Sequence, residues 1–150
     1  MHVSGFGPKA IEVAGRIGDG YMTVGPDAEA LRRYREAGGR GTAHVGRKVC
    51  WAATEDEGVR TAHRIWPNDA LPGELAQVLP MPAHFMQASK LVTEDMIREA
   101  VPCGPDPEVH ARAIQEVFDA GYDECYIQQI GDDQDGFLDF YAREVLPRFR

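Results

Sequence analysis

Two glycines stand between a predicted strand and a predicted helix, in the segment Ser-Gly-Phe-Gly-Pro-Lys-Ala at residues 4–10. Their spacing, Gly5-x-Gly7-x-x-Ala10, satisfies a loosened form of the dinucleotide-binding fingerprint. Glycine lets the backbone approach a phosphate group closely, and the start of the following helix carries partial positive charge. The turn therefore predicts a site for phosphate or carboxylate. The alternative is that the two glycines serve only a tight turn.

Four short apolar segments alternate with amphipathic helices along the chain, which predicts an α/β protein with parallel strands and right-handed crossovers. Two architectures fit this order: a doubly wound sheet, or half of a (β/α)8 TIM barrel. A complete barrel takes about 250 residues, so four βα units in 150 residues correspond to about half of one. The predicted strands are residues 2–4, 21–24, 48–53 and 125–130.

The helices carry recognisable start signals. Pro8 suits a first helical position, Asp27 can cap the second helix, and Thr54-x-x-Glu57 matches a capping box. A closing helix is predicted over residues 134–146. Five prolines interrupt residues 67–104, so we interpret this stretch as a partly helical insertion that forms a cover or an interface. It is too short for its own core, and we expect one domain over residues 1–150.

Composition excludes several classes of function. The net charge of −8 and the absence of a basic stripe argue against nucleic acid and anionic membranes as partners. Three cysteines without CxxC spacing indicate neither a disulfide framework nor a zinc site, and the histidines lack metal-ligand spacing. No apolar run approaches 18 residues, so we expect a soluble, cytoplasmic protein without a metal.

Four segments carry a resemblance to a known family. They are VSGFGPKAIEVAGRIGDGYMTV, RKVCWAATEDEGVRTAHRIWPN, LPGELAQVLPMPAHF and the C-terminal stretch that begins VPCGPDPEVH and contains DAGYDECYIQQIGDDQ. Together they resemble the C-terminal half of luciferase-like oxidoreductases, in the branch of coenzyme F420-dependent glucose-6-phosphate dehydrogenases. The resemblance implies a TIM barrel of which this chain holds the last four βα units, with the insertion after the third strand.

The resemblance also assigns candidate site residues. It implies that the turn after the first strand holds the phosphate of the cofactor tail, and that the ends of later strands face the substrate. The cofactor that the resemblance implies is F420, with FMN as the alternative. The residues that handle the hydride and proton in the family belong to the N-terminal half, so no catalytic residue is assigned. The cofactor-binding candidates are Ser4, Gly5, Phe6 and Gly7, and the substrate-side candidates are Thr23, Val24, Gln128 and Gln129.

One departure from the sugar-phosphate enzymes bears on the substrate. Those enzymes clamp the substrate phosphate with a lysine and an arginine, whereas the corresponding positions here are Asp27 and Glu99. Two carboxylates would repel a dianion instead of donating hydrogen bonds to it. The substrate is therefore expected to be an organic molecule other than glucose 6-phosphate.

A half barrel exposes unpaired N–H and C=O groups on its first and last strands. We therefore expect a homodimer, or pairing with a separate N-terminal half-barrel chain. The predicted function is the C-terminal part of an F420-dependent oxidoreductase that acts on a small molecule and is inactive or weakly active alone. The alternatives are a non-catalytic half barrel that binds phosphate or cofactor, and a Rossmann-like module that binds NAD(P).

Overall fold

A computed structural model describes residues 1–149 of the chain. Four strands, β1 to β4, form one sheet, and eight α-helices, α1 to α8, connect or follow them within these residues. The strands are β1 His2–Ser4, β2 Gly20–Thr23, β3 Ala43–Val49 and β4 Glu124–Gln129. The helices are α1 Pro8–Ile17, α2 Ala28–Glu36, α3 Glu55–Ile65, α4 Leu75–Val78, α5 Pro82–Ser89, α6 Glu94–Ala100, α7 Pro107–Asp119 and α8 Gln134–Phe140.

Shorter helical turns complete these elements. A 3-10 turn, Pro67–Ala70, follows α3. The predicted closing helix is divided: α8 continues into a π-helical turn, Tyr141–Val145, and then into a 3-10 turn, Leu146–Phe149. None of the helices in the described part of the chain is long and apolar enough to cross a membrane.

The sheet has the sequential order β1-β2-β3-β4, with β1–β2 and β2–β3 paired in parallel. A doubly wound sheet reverses its strand order beside the first strand, which therefore lies inside the sheet between two neighbours. Here the order is sequential and β1 stands at its end, so the strand order argues for the half barrel and against the Rossmann-like alternative. The α/β half-barrel prediction is confirmed by this order and by the structural comparisons below.

The third strand was placed too late in the sequence. It covers Ala43–Val49, whereas the pattern predicted residues 48–53. Gly46 and the charged pair Arg47 and Lys48 interrupt the apolar alternation, which hides the earlier half of the strand. In the structure Arg47 lies near Glu116 and Lys48 pairs with Asp69, so both cations are accommodated by partners distant in sequence.

The described contacts divide the chain into two compact units. The first contains Met1–Arg47 and Arg112–Gln128. Its core lies where α1, α2 and α7 cover one face of the strands, and Tyr21 stacks on Tyr34 with ring centroids 5.1 Å apart. Other buried members of this core are Ile11, Ala14, Ala30, Leu31, Ala43, Val45, Val117 and Tyr122.

The second unit contains Lys48–Ala111 and the described residues from Gln129 onward. Its core joins α3 and α6 to the end of β3, where Cys50 and Cys103 are direct partners in a parallel bridge. Thr54 caps α3 by accepting a hydrogen bond from the Glu57 N–H, as the capping box predicts. The apolar side chains of the insertion thus pack in one core with those of α3 and the end of the strand. Those of the insertion are Leu71, Val92, Ile97, Val101 and Cys103, and those of α3 are Val59 and Ala62.

Candidate functional site

The turn between β1 and α1 is held from β2. The Tyr21 hydroxyl donates a hydrogen bond of 2.8 Å to the Gly5 carbonyl. Gly5 is buried, and a Cβ there would lie 2.9 Å from the Ala10 carbonyl carbon, so the close approach of turn and helix requires glycine. Gly7 differs, because a Cβ at that position would have no atom within 4 Å and its backbone is extended. Gly7 therefore faces open space that a ligand can occupy.

The start of α1 leaves its backbone donors available. Gly7 is the N-cap and supplies no side-chain hydrogen bond, Pro8 occupies the first turn, and that turn contains no acidic residue. Lys9 adds a cation beside the same N–H groups. The first N–H groups of a helix need acceptors and carry partial positive charge. This helix start can therefore accept an anion.

Two other helices that follow strands or their loops have capped starts. Asp27 caps α2 with hydrogen bonds from the Glu29 and Ala30 N–H groups, at 2.9 and 3.1 Å. Asp133 likewise caps α8 by accepting a hydrogen bond from the Gly136 N–H. These carboxylates satisfy the donors and repel anions. Asp27 is thus committed to its helix, and the loop after β4, which TIM barrels often use for phosphate, is acidic.

The end of β2 lies next to this turn. Ser4 in β1 is the register partner of Met22 in β2, so Thr23 and Val24 follow directly beside the glycine turn. Thr23 is buried, whereas Val24 is exposed. Of this pair, Val24 is the side chain that a ligand can contact.

The two glutamines at the end of β4 have different environments. Gln129 accepts a hydrogen bond of 2.9 Å from the Trp51 N–H and donates one of 3.0 Å to the Trp51 carbonyl. Its amide therefore extends the backbone pairing beyond the strands. Gln128 is exposed. β4 is two strands away from β2, so Gln128 stands about 10 Å from the end of β2 along the sheet and does not share its immediate surroundings.

Sequence reasoning missed a polar row on the opposite face of the sheet. The exposed side chains of β4 alternate with half-buried ones, and His44 Nδ1 lies 2.9 Å from the Glu124 carboxylate. The His2 ring reaches across Gly20 to contact the His44 ring, with centroids 4.5 Å apart. We call this surface the open face, formed by His2, Ser4, Met22, His44, Glu124, Tyr126 and Gln128. Its signal in the sequence is the alternation of polar residues in Glu-Cys-Tyr-Ile-Gln.

The buried titratable groups are not poised for chemistry. Burial raises the pKa of Cys50 to about 11 and that of Cys103 to about 12, so both thiols stay protonated at neutral pH. Burial lowers the pKa of His110, whose ring nitrogens bond to the Tyr141 hydroxyl and the Gly104 carbonyl, each at 2.9 Å. His110 is thus a neutral structural link. Within residues 1–149, no three His, Cys, Asp or Glu side chains are arranged to hold a metal ion.

The family model of luciferase-like monooxygenases matches residues 1–124. The chain belongs to this family. The match confirms the resemblance drawn from the sequence, and the matched residues include the glycine turn, α1, α2 and β3.

Two curated relatives of this chain are F420-dependent enzymes. An F420-dependent hydroxymycolic acid dehydrogenase from Mycobacterium tuberculosis is 30% identical over the whole chain, which covers 42% of that protein. An F420-dependent glucose-6-phosphate dehydrogenase from Microbacterium testaceum is 26% identical, again over the whole chain and 48% of that protein. The chain therefore spans about half the length of the curated relatives it matches.

Solved structures show the same fold. An F420-dependent secondary alcohol dehydrogenase in complex with an F420-acetone adduct matches 99% of the chain with a TM-score of 0.80 and 21% identity, and 48% of that structure is covered. The F420-dependent tetrahydromethanopterin reductase from Methanopyrus kandleri matches with a TM-score of 0.71 and 19% identity, over 99% of this chain and 50% of its own. These likenesses establish the half-barrel fold.

Proposed function

We propose that this chain carries the cofactor-phosphate site of a cytoplasmic F420-dependent oxidoreductase that moves a hydride between the deazaflavin and an organic substrate. The observation that carries the proposal is the start of α1, which combines a glycine turn with free backbone donors and no acidic residue. The F420 dependence of the curated relatives supports the choice of cofactor. Three free cysteines fit a reducing compartment.

The residues present suit the anionic tail of the cofactor. Ser4, Gly5, Phe6 and Gly7 bring backbone and hydroxyl donors to one turn, and the Lys9 ammonium adds positive charge. Their role is to hold the phosphate in place with donors that are already oriented before binding. When bound, the deazaflavin ring supplies the hydride acceptor or donor. FMN also carries a phosphate, so it remains the alternative cofactor for the same turn.

The substrate side of the proposal rests on the ends of β2 and β4. We assign Thr23, Val24, Gln128 and Gln129 to this side. Val24 and Gln128 present exposed side chains, whereas Thr23 is buried and the Gln129 amide is bonded to the Trp51 backbone. The acidic Asp27 is occupied as a helix cap and cannot assist a phosphorylated substrate.

The exposed side chains of the open face and the outer edges of β1 and β4 support the proposal that a polypeptide partner binds here. In a closed barrel the inner side chains contact facing strands and no strand edge is left unpaired. Here the inner side chains of β4 are exposed, including Tyr126, which packs over Gly46. We propose that a second copy, or an N-terminal half barrel, covers this face. We expect the 150-residue chain alone to be inactive or weakly active.

Titration monitored by ¹H–¹⁵N spectra tests the cofactor site. F420 and inorganic phosphate should both shift the amides of Gly5, Phe6, Gly7 and Lys9, with F420 binding more tightly because it makes further contacts. NADP and FMN are the comparison ligands. Tighter binding of FMN than of F420 would make FMN the cofactor. No response of these amides to any of the four ligands would refute the phosphate site.

Light scattering and an activity assay test the partner. A monomer that remains folded at micromolar concentration would contradict the second-copy arrangement. Robust hydride transfer by the monomer would contradict the need for any covering half.

A further inference from the structure

Two free cysteines lie opposite each other where β3 ends. Cys50 follows β3 directly, and Cys103 lies between α6 and α7. The Cys50 N–H donates a hydrogen bond of 2.9 Å to the Pro102 carbonyl, and the Gly104 N–H donates one of 3.0 Å to the Cys50 carbonyl. These two bonds make Cys50 and Cys103 direct partners in a parallel bridge. The insertion therefore returns to the strand at a cysteine that faces another cysteine.

The bridge brings the two side chains within range of a disulfide bond. Neighbouring strands lie about 4.8 Å apart, and disulfides join Cα atoms that are about 4.4 to 6.8 Å apart. Direct partners in a ladder point their side chains to the same face, and both cysteines belong to one apolar core. Burial raises the pKa of Cys103 to about 12, and the charge of a nearby Cys50 thiolate adds to that rise. The thiols are thus close enough to affect each other.

The Cys50 thiol is buried close to a cavity. Its residue is fully buried, and Cys103 is 5% exposed. A Cβ at Gly131 would lie 3.6 Å from the Cys50 sulfur. Gly131 also lines a cavity of about 350 Å³, together with residues of α3 such as Thr61. A small reagent in this cavity is separated from the sulfur by the loop that contains Gly131, so a local movement of that loop gives access without unfolding of the core.

We propose that Cys50 and Cys103 form a redox-sensitive pair, which a low-molecular-weight disulfide such as oxidised glutathione converts into an intramolecular disulfide bond. Because the insertion lies between the two cysteines in sequence, the bond closes residues 50–103 into a covalent loop and fixes the insertion to the end of β3. This modification site is independent of the proposed function, since it involves none of the cofactor or substrate candidates.

The reaction is a thiol–disulfide exchange in two steps. The Cys50 thiolate attacks one sulfur of the reagent, the S–S bond of the reagent breaks, and one reagent thiol leaves. The Cys103 thiolate then attacks the Cys50 sulfur of this mixed disulfide, and the second reagent thiol leaves. The two protein thiols are oxidised by two electrons, and the reagent takes up those electrons and the two protons. Burial keeps both protein thiols protonated near neutral pH, so the exchange is slow and needs an excess of oxidant.

Oxidation of the folded and the unfolded chain tests whether the fold presents this pair. The 150-residue chain is treated with oxidised glutathione, the remaining thiols are alkylated, and the linked peptides are identified by mass spectrometry. In the folded protein we expect the Cys50–Cys103 bond, with Cys125 left outside it. In urea the shorter loop between Cys103 and Cys125 should be favoured over Cys50–Cys103 by about fourfold. A reversal of this preference on folding is the expected result.

Urea unfolding of the oxidised protein tests the consequence for stability. The bond restricts the unfolded chain, so the urea midpoint should rise by about 1 to 2 M relative to the reduced protein. Cys125→Ala is the matched control and should keep both the bond and the rise. Cys50→Ala and Cys103→Ala should each lose them. Each variant is compared with its own reduced form, so that a loss of stability from the substitution itself cancels, and circular dichroism establishes that it folds.

Several outcomes would overturn the assignment of the redox pair. They are the absence of a Cys50–Cys103 bond in the oxidised folded protein, the same ratio of linked peptides in the folded and unfolded chains, an oxidised protein no more stable than the reduced one, or a midpoint rise that persists in Cys50→Ala. Because these measurements contain no F420, their failure leaves the phosphate site untouched. Failure of the phosphate site is seen separately at the amides of Gly5 to Lys9.

Discussion

Replacing Gly7 by aspartate should stabilise the fold and weaken cofactor binding at the same time. The backbone at Gly7 is extended, with φ −88° and ψ 156°, and a Cβ there meets no neighbouring atom, so aspartate fits without strain. It can then cap α1 as Asp27 caps α2, through the second and third N–H groups of the helix. Capping and the favourable charge at the helix start stabilise by about 0.5 to 1 kcal/mol.

The same carboxylate would occupy the donors proposed for phosphate. At 4 Å, one pair of like charges repels by about 1 kcal/mol in water and about 4 kcal/mol at an effective dielectric constant of 20. Affinity for F420 should therefore fall by a factor between about 5 and 1,000. Gly7→Asn is the matched control, since it caps the helix with nearly the same shape but adds no charge, and it should weaken binding less.

Urea unfolding and deazaflavin fluorescence measure the two effects. The urea midpoint should rise by about 0.3 to 0.5 M in Gly7→Asp and by less in Gly7→Asn, which adds no charge, with binding lost most strongly in Gly7→Asp. Unchanged affinity in the stabilised Gly7→Asp variant would refute the phosphate site. A fall in stability would refute the description of an uncapped helix start.

Three further predictions concern stability. Burial lowers the folded-state pKa of His110. The stability that the neutral ring contributes should therefore be complete above the ordinary histidine pKa of 6.5 and decrease as the pH falls below it. The difference between the urea midpoints at pH 7.5 and 5.0 should be smaller in His110→Gln than in the unsubstituted protein. Gln129→Leu should cost about 1 to 3 kcal/mol by leaving the Trp51 backbone unpaired, whereas Gln128→Leu should change the urea midpoint little. Gly58→Ala should lower the free energy of unfolding by about 1 to 3 kcal/mol, and with it the melting temperature, because the added Cβ would lie 2.7 Å from the Cys50 carbonyl oxygen. An unchanged melting temperature would contradict that packing.

Local signals allowed much of the helical structure to be predicted. The caps Asp27 and Thr54 act within three residues of themselves, so their partners could be identified in the sequence and are found in the structure. The glycine turn was predictable for the same reason. The start of β3 could not be predicted, because Arg47 and Lys48 interrupt the apolar pattern and find their ion-pair partners far along the chain.

The candidate site shows the same division between local and long-range information. Successive side chains of a strand point to opposite faces of the sheet, so Gln128 and Gln129 cannot share one environment, but which of them is free depends on contacts distant in sequence. The structure bonds the Gln129 amide to the Trp51 backbone and leaves Gln128 exposed. The sequence could name both residues as candidates but could not choose between them.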